Sequence, residues 1–393
     1  MRAVAFDFDA LLDRRGTRSL KWDAAERFYN LSDVIPLWVA DMDFPAPPAV
    51  VEAIRRRAEH PVYGYPLVPR ESWDPVIRWL AERQGWTVHR EWLLRLPGVV
   101  PSLNLCVRAL TRPGDKVVIQ TPVYHPFYPA VELNGRRLVR NPLRSGDGGW
   151  TMDLDDLRRQ VDGRTRLLVL CSPHNPVGRV WTRPELEALA SFCRERDLLV
   201  VSDEIHSDLV FAGHRQTPFA SLGPDAAART ITLQAPSKTF NTAGLGASFA
   251  VASDGRLRGL LRREVEDSGL TTGNVFGVPA MEAAYAEGGP WRDELMAYLE
   301  GNADFTAAFF RDRLPRLRFL RPQGTYLALV DARGLGLEPE KVFPFFLEKA
   351  RVYFDDGLKF GEALAGFLRL NLACPRALLE KALARIESAV REV

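Results

Sequence analysis

The sequence predicts an α/β protein: a large domain on a mostly parallel, doubly wound sheet, with a smaller α+β domain after it. Three observations predict this. Between residues 115 and 252, short β-prone runs alternate with helical stretches, the pattern of parallel strands joined by crossover helices. Polar residues collect where those runs end, and ligands bind such sheets beyond the carboxyl ends of the strands. Beyond residue 290 the alternation stops, and a long helical stretch, two strand-like runs and a closing amphipathic helix follow. The expected division is 1–48, an N-terminal segment packing with the small domain; 49–290, the large domain; and 291–393, the small domain. A chain of 393 residues suits two or three domains.

The elements follow in order. The first 45 residues lack regular periodicity. Pro47 and Pro48 before Val50, Val51 and Ile54 mark a helix start. A helical pattern spans 73–83, and a second apolar one spans 103–110 after the loop Pro97-Gly98-Val99-Val100. Strands are expected at 116–120, 137–140, 166–170, 198–202, 230–233 and 247–252. Thr182 is a natural N-cap for a helix over 184–196. In the last hundred residues, 291–310 reads as a long helix, 324–330 and 367–373 as strands, and 375–390 as a helix.

Composition excludes several classes. The chain has 52 Lys and Arg against 50 Asp and Glu, too balanced for a nucleic-acid or anionic-membrane surface. The run Arg55-Arg56-Arg57 lies beside Glu52 and Glu59 at helical spacing and reads as a solvated face. The four cysteines are scattered without metal-ligand spacing, so neither a disulfide nor a metal site is expected. No apolar run approaches the roughly 18 residues of a membrane span, and acids interrupt the N-terminus too early for a signal peptide. The expected location is the cytoplasm. Phe6-Asp7-Phe8-Asp9-Ala10-Leu11 looks like a phosphatase nucleophile loop, but Leu11 replaces its hydroxyl and the stretch before it is too short for the strand that such a loop follows.

The strand exits carry the chemistry. The run to Gln120 leads to Tyr124, the run to Leu170 to His174 and Asn175, the run to Ser202 to Asp203 and His206, and the run to Leu233 to Ser237 and Lys238. Taken locally, Lys238 is as well read as an exposed loop charge. With Tyr124, Asn175 and Asp203 on the same rim it reads as a Schiff-base lysine. This set fits pyridoxal 5′-phosphate. Asp203 would keep the pyridine nitrogen protonated. Asn175 would bond the ring hydroxyl, and Tyr124 would stack on the ring. Ser237 and the amides of Gly98, Val99 and Val100, at a helix start, would seat the phosphate. Arg369, a lone arginine in an apolar run, would clamp a substrate α-carboxylate bidentately.

The spacing of Asn175, Asp203, Lys238 and Arg369 resembles the fold-type-I pyridoxal-phosphate-dependent aminotransferases. Longer strings resemble one branch of them, the MalY/PatB-type cystathionine β-lyases: RRGTRSLKWD (14–23), LWVADMDFPAPP (37–48), YGYP (63–66), PGVVPSLN (97–104), SPHNPVGRVW (172–181), SDEIHSDLVF (202–211), APSKTFNTAGL (235–245) and RLNLACPR (369–376). They run the length of the chain. Two positions depart from pattern. Gly246 stands where many aminotransferases have a phosphate-binding arginine, which favours the lyase branch, and Leu364 replaces a glycine in the loop before Arg369.

The resemblance implies a homodimer with the active site at the subunit interface, where Tyr65 reaches the neighbouring subunit's cofactor phosphate; the alternative for Tyr65 is turn packing. His206 lies where many aminotransferases place a tyrosine near the ring hydroxyl, and a structural histidine is the equal alternative. Asp41 either faces substrate or caps a turn. The implied reaction is β-elimination from cystathionine or another cysteine S-conjugate. Lys238 removes the Cα proton, and thiol, pyruvate and ammonia result. Three alternatives stand beside it: transamination, a C–S lyase for a larger S-conjugate, which Leu364 motivates, and a cofactor-bound regulator.

Overall fold

A computed structural model describes residues 6–146, 149–271 and 273–392. The expectation for the N-terminal stretch Met1–Ala5 lies outside the described residues. The chain divides into two units, Ala46–His174 with Arg179–Arg292, and Met1–Pro45 with Asn175–Gly178 and Asp293–Val393. The sequence did not foretell that Asn175–Gly178 groups with the terminal segments.

The larger unit is built on a seven-stranded sheet in the order Leu93–Leu96, Ser248–Val251, Thr230–Gln234, Leu199–Asp203, Thr165–Cys171, Lys116–Thr121, Arg137–Pro142. The last five run parallel. Ser248–Val251 is antiparallel to both its neighbours. Val117, Val118 and Ile119 are all fully buried, as are Leu167, Leu168, Val200, Val201, Ile231 and Leu233. Unbroken apolar burial of this kind is what a parallel sheet covered on both faces demands. The helices Val99–Leu110 and Gly255–Asp267 bury Leu103, Cys106, Val107, Leu257 and Leu261 in the same core.

Each expected strand of this sheet forms within a residue or two of its expected ends. Thr182 caps the helix Arg183–Glu195 in a full capping box, its hydroxyl accepting from Glu185 N while the Glu185 carboxylate accepts from Thr182 N. Leu93–Leu96 was not foreseen. Four residues reading Leu-Leu-Arg-Leu show no decisive period, and only pairing with Ser248–Val251 makes them a strand.

The smaller unit holds a four-stranded antiparallel sheet in the order Arg318–Leu320, Leu327–Asp331, Phe367–Asn371, Asp355–Asp356. Ile35–Pro36 pairs in parallel with Val352–Tyr353. Gly178 is required where it stands. Its φ is +70°, and a Cβ there would lie 2.6 Å from Pro322 Cβ. The N-terminal helix Leu20–Tyr29, capped by Ser19, was missed by the sequence reading, although serine before an apolar-periodic run is a start signal.

Candidate active site

In the larger unit the strand ends bring Asp203 and Lys238 into one electrostatic neighbourhood. Cys171, Asp203 and Leu233 stand in register across three adjacent parallel strands. Lys238 follows in the helical turn Pro236–Thr239. That turn is held by Phe240 N donating to Pro236 O at 2.8 Å and Thr242 N to Ser237 O at 3.1 Å. Its far side is held by the Thr239 hydroxyl donating to Asp208 Oδ2 at 3.1 Å, and Asp208 Oδ1 also accepts from Trp79 Nε1 at 2.9 Å. Asp203 is buried, and burial pushes its carboxyl up to about 7; the Ile205 amide and the charge of Lys238 pull against that rise. Glu204, next in sequence, is also pushed up to about 7 by burial, and is held by Phe219 N at 2.9 Å and Ser202 Oγ at 2.8 Å. The sequence reading left Glu204 unremarked.

The other predicted residues of this unit sit as follows. Gly98 is the N-cap of the helix Val99–Leu110, with φ +137°, and donates its N–H to Ser248 Oγ at 2.9 Å. Val99 and Val100 form the first turn, whose N–H groups have no intrahelical acceptor. Tyr124 is partly buried against the core, its ring centroid 5.1 Å from that of His125. Ser237 is partly buried in the Lys238 turn. His206 is buried in the turn after Asp203, where its carbonyl accepts from Leu209 N at 2.9 Å. His174 is structural: burial pushes it down to about 4, leaving it neutral at pH 7, and its Nε2 lies 2.8 Å from Pro122 O. Tyr65 is 94% exposed. Gly246 has φ +57°, and a Cβ there would lie 3.4 Å from Pro97 O, so an arginine would be strained at this position.

In the smaller unit the structure joins Arg369 and Asn175. Arg369 Nη1 donates to Asn175 Oδ1 at 3.0 Å, and Nη2 donates to Trp38 O at 2.8 Å and to Asp355 Oδ2 at 2.6 Å. Phe360 lies under the guanidinium, 4.7 Å from Cζ. Asp355 was not singled out in the sequence, because its pairing with Arg369 comes from strand register. Leu364 is fully buried.

Asp41 is held in an ion-pair cluster. Its Oδ2 accepts from Arg14 Nη2 at 2.9 Å, and its carbonyl accepts from Lys21 Nζ at 3.1 Å. Lys21 is fully buried and pairs with Asp43 at 2.7 Å, and Trp22 Nε1 donates to the same carboxylate at 2.8 Å. The polar run 14–23, which offered no chemistry when read alone, thus anchors Asp41 and Asp43. Asp43 also accepts from Arg14 Nη1 at 2.7 Å, so Lys21→Ala would remove one of its two cations and leave the buried space of the lysine side chain unfilled, and should lower stability by on the order of 2 kcal/mol. A melting curve checks this. Asp7 and Asp9 likewise serve structure: Asp7 Oδ1 accepts from Asp9 N at 2.9 Å and Ala10 N at 3.1 Å.

The donor set of the larger unit fits pyridoxal phosphate. A buried acid at neutral pH calls for a cationic partner, and a protonated pyridine nitrogen is one. Lys238, at the next strand exit, offers an amine to an aldehyde, and the first-turn amides of Val99 and Val100 offer donors to a phosphate. Among the described residues there is no cluster of three or more His, Cys, Asp or Glu able to hold a metal.

The family described as aminotransferase class I and II matches residues 32–386. The chain is 43% identical to the cystathionine beta-lyase PatB of Bacillus subtilis over 98% of its own length and 100% of that protein's. Cystalysin from Treponema denticola, whose crystal structure contains pyridoxal 5′-phosphate, superposes with a TM-score of 0.94 at 35% identity, over 98% of this chain and 99% of that one. The pyridoxal-phosphate-bound C-S lyase from Staphylococcus hominis superposes at 0.90 with 33% identity, over 98% and 99%.

Proposed function

The chain belongs to the class I and II aminotransferase family, within its MalY/PatB branch, and from that membership we propose a pyridoxal-phosphate-dependent carbon–sulfur lyase. The reaction is β-elimination of a thiol from cystathionine or another cysteine S-conjugate, and water then hydrolyses the released aminoacrylate to pyruvate and ammonia. The observation that carries the proposal is the buried Asp203 under the charge of Lys238 at neighbouring strand exits. Bound pyridoxal phosphate would supply the sink for the electron pair left when the Cα proton departs.

The residues of this chain do the rest. Lys238 would hold the cofactor through its amine and would take the Cα proton on Nζ. Asp203 would keep the ring nitrogen protonated. Asn175 would bond the ring hydroxyl, Tyr124 and His206 would border the ring, and Ser237 with the Val99 and Val100 amides would hold the phosphate. Arg369 binds the α-carboxylate. Asp41 keeps the segment that supplies the Trp38 carbonyl in place. The sulfur leaves as thiolate, tolerable because a thiol has a pKa of about 8.5.

Tyr65, at 94% exposure, supports a homodimer in which this phenol reaches the cofactor phosphate of the second subunit; Leu67 and Val62 beside it are exposed as well. Among the described residues no helix is long and apolar enough to cross a membrane.

Incubating the protein with cystathionine, and separately with a bulky cysteine S-conjugate, should release thiol and pyruvate in equal amounts. The family's name keeps transamination as the second outcome: a keto acid that retains its sulfur, with pyridoxamine phosphate, would replace the lyase proposal by that one.

A further inference from the structure

The guanidinium of Arg369 carries five N–H donors, and three are in use. Nη1 serves Asn175, and Nη2 serves both the Trp38 carbonyl and Asp355. Nε is buried with no acceptor among the described residues. A carboxylate grips a guanidinium at two points through Nη1 with Nη2, or through Nε with Nη2. Both grips use Nη2, and both Nη2 hydrogens are taken. The two-point clamp expected from the sequence is therefore closed.

The two acceptors on Nη2 differ. The Trp38 carbonyl is backbone, fixed by Leu37 N donating to Tyr353 O at 2.8 Å and by the Trp38 ring stacked on Tyr353 at 4.5 Å. Asp355 is a side-chain carboxylate, the same chemical group as the one a substrate would bring. It stands directly opposite Arg369 on the adjacent antiparallel strand. It also has a second cation, since Lys359 Nζ donates to Oδ1 at 3.1 Å. Arg369 and Asp355 are buried, whereas the Lys359 side chain is 43% exposed.

We propose that Asp355 occupies the seat of the substrate's α-carboxylate on Arg369 until substrate displaces it, so that Asp355 sets the enzyme's affinity for carboxylate-bearing substrates. The proposal rests on Arg369 being the α-carboxylate site. No covalent bond changes: one carboxylate replaces another on Nη2, and Asp355 keeps its ion pair with Lys359. That second pair matters, because a buried acid released with no cation would oppose the exchange. Amines without a carboxylate cannot make the exchange and are disfavoured.

The test titrates the holoenzyme with propionate, a carboxylate that has no amine to react with the cofactor, by calorimetry. The change in cofactor absorbance on adding L-alanine gives an independent dissociation constant. Asp355→Asn keeps the shape and one acceptor but loses the charge, and should tighten propionate by about tenfold, as expected when a charge-assisted hydrogen bond no longer has to be displaced. Lys359→Met, at a part-exposed position, should weaken it several-fold. Matching melting curves verify that each variant is folded. Asp355→Asn binding no better than the unmodified protein would overturn the proposal, and weaker binding would make Asp355 a residue that holds Arg369 for substrate. Arg369→Met tells the two failures apart. If it still binds propionate as well as the unmodified protein, the assignment of Arg369 has failed; if it loses binding while Asp355→Asn changes nothing, only the role of Asp355 has.

Discussion

Lys238→Ala should abolish elimination, with turnover down by at least about a thousandfold, since it removes the base proposed to take the Cα proton. The visible absorbance of the cofactor bound through lysine should vanish with it. The fold should not suffer, because the turn Pro236–Thr239 is held from outside the Lys238 side chain. Backbone bonds from Phe240 and Thr242, and the Thr239 hydroxyl on Asp208, all remain. The variant should therefore melt close to the unmodified apoprotein. Persistence of the lysine-bound spectrum in a purified Lys238→Ala protein would move the cofactor to another lysine and dismantle the site.

Asp203→Asn should lower kcat/KM by about a hundredfold or more, because a neutral amide cannot hold the ring nitrogen protonated and the electron sink weakens. The same change should stabilise the apoprotein at alkaline pH. Burial holds the Asp203 carboxyl near 7, against 3.8 for an ordinary aspartate. The folded chain thus keeps a proton that the unfolded chain has released. The associated stability is fully present below pH 4 and is lost as the pH rises through 7. Above pH 7 the cofactor-free protein carries the ionised acid at a cost on the order of 4 kcal/mol, taking about 1.4 kcal/mol per pH unit. Asparagine has no such burden. Melting temperatures of the two apoproteins should diverge at pH 8 and converge near pH 4. Glu204 shifts in the same direction and stays in both proteins, so it leaves the sign of the difference intact. A gap that failed to close at low pH would mean that Asp203 is not titrating as its burial requires.

Local chemistry made much of this molecule legible in the sequence. The buried apolar runs 117–119 and 167–170 declare parallel strands because a sheet covered on both faces has no need of polar alternation. Thr182 with Glu185 announces a helix start because cap and partner sit three residues apart. Asp203 and Lys238 stand out because one closes a strand and the other lies just past the end of the next, where ligands of such a sheet bind. The class I and II aminotransferase fold and the lyase branch were legible in the same way, from strings that span the chain.

What stayed hidden depends on partners far away in sequence. Leu93–Leu96 is a strand only because Ser248–Val251 pairs with it, and its own four residues carry no period. The run 14–23 looked inert until Lys21 was found buried against Asp43 and Arg14 against Asp41. Leu364, read as a bulk that could reshape the substrate pocket, is fully buried, a fact that its own position in the sequence did not declare. Arg369 is the clearest case. The sequence shows one arginine in an apolar strand and suggests an open clamp. Only the register of Asp355–Asp356 against Phe367–Asn371, with the Trp38 carbonyl arriving 331 residues away in the chain, decides that both hydrogens of Nη2 are engaged. Sequence by itself determined the parallel strands of the large sheet, the capped helix that follows Thr182 and which residue types sit at the strand exits, because propensity, burial pattern and capping act over a few residues. Tertiary structure alone decided which charges meet, because ion-pair partners are set by register and packing between segments that the chain separates widely.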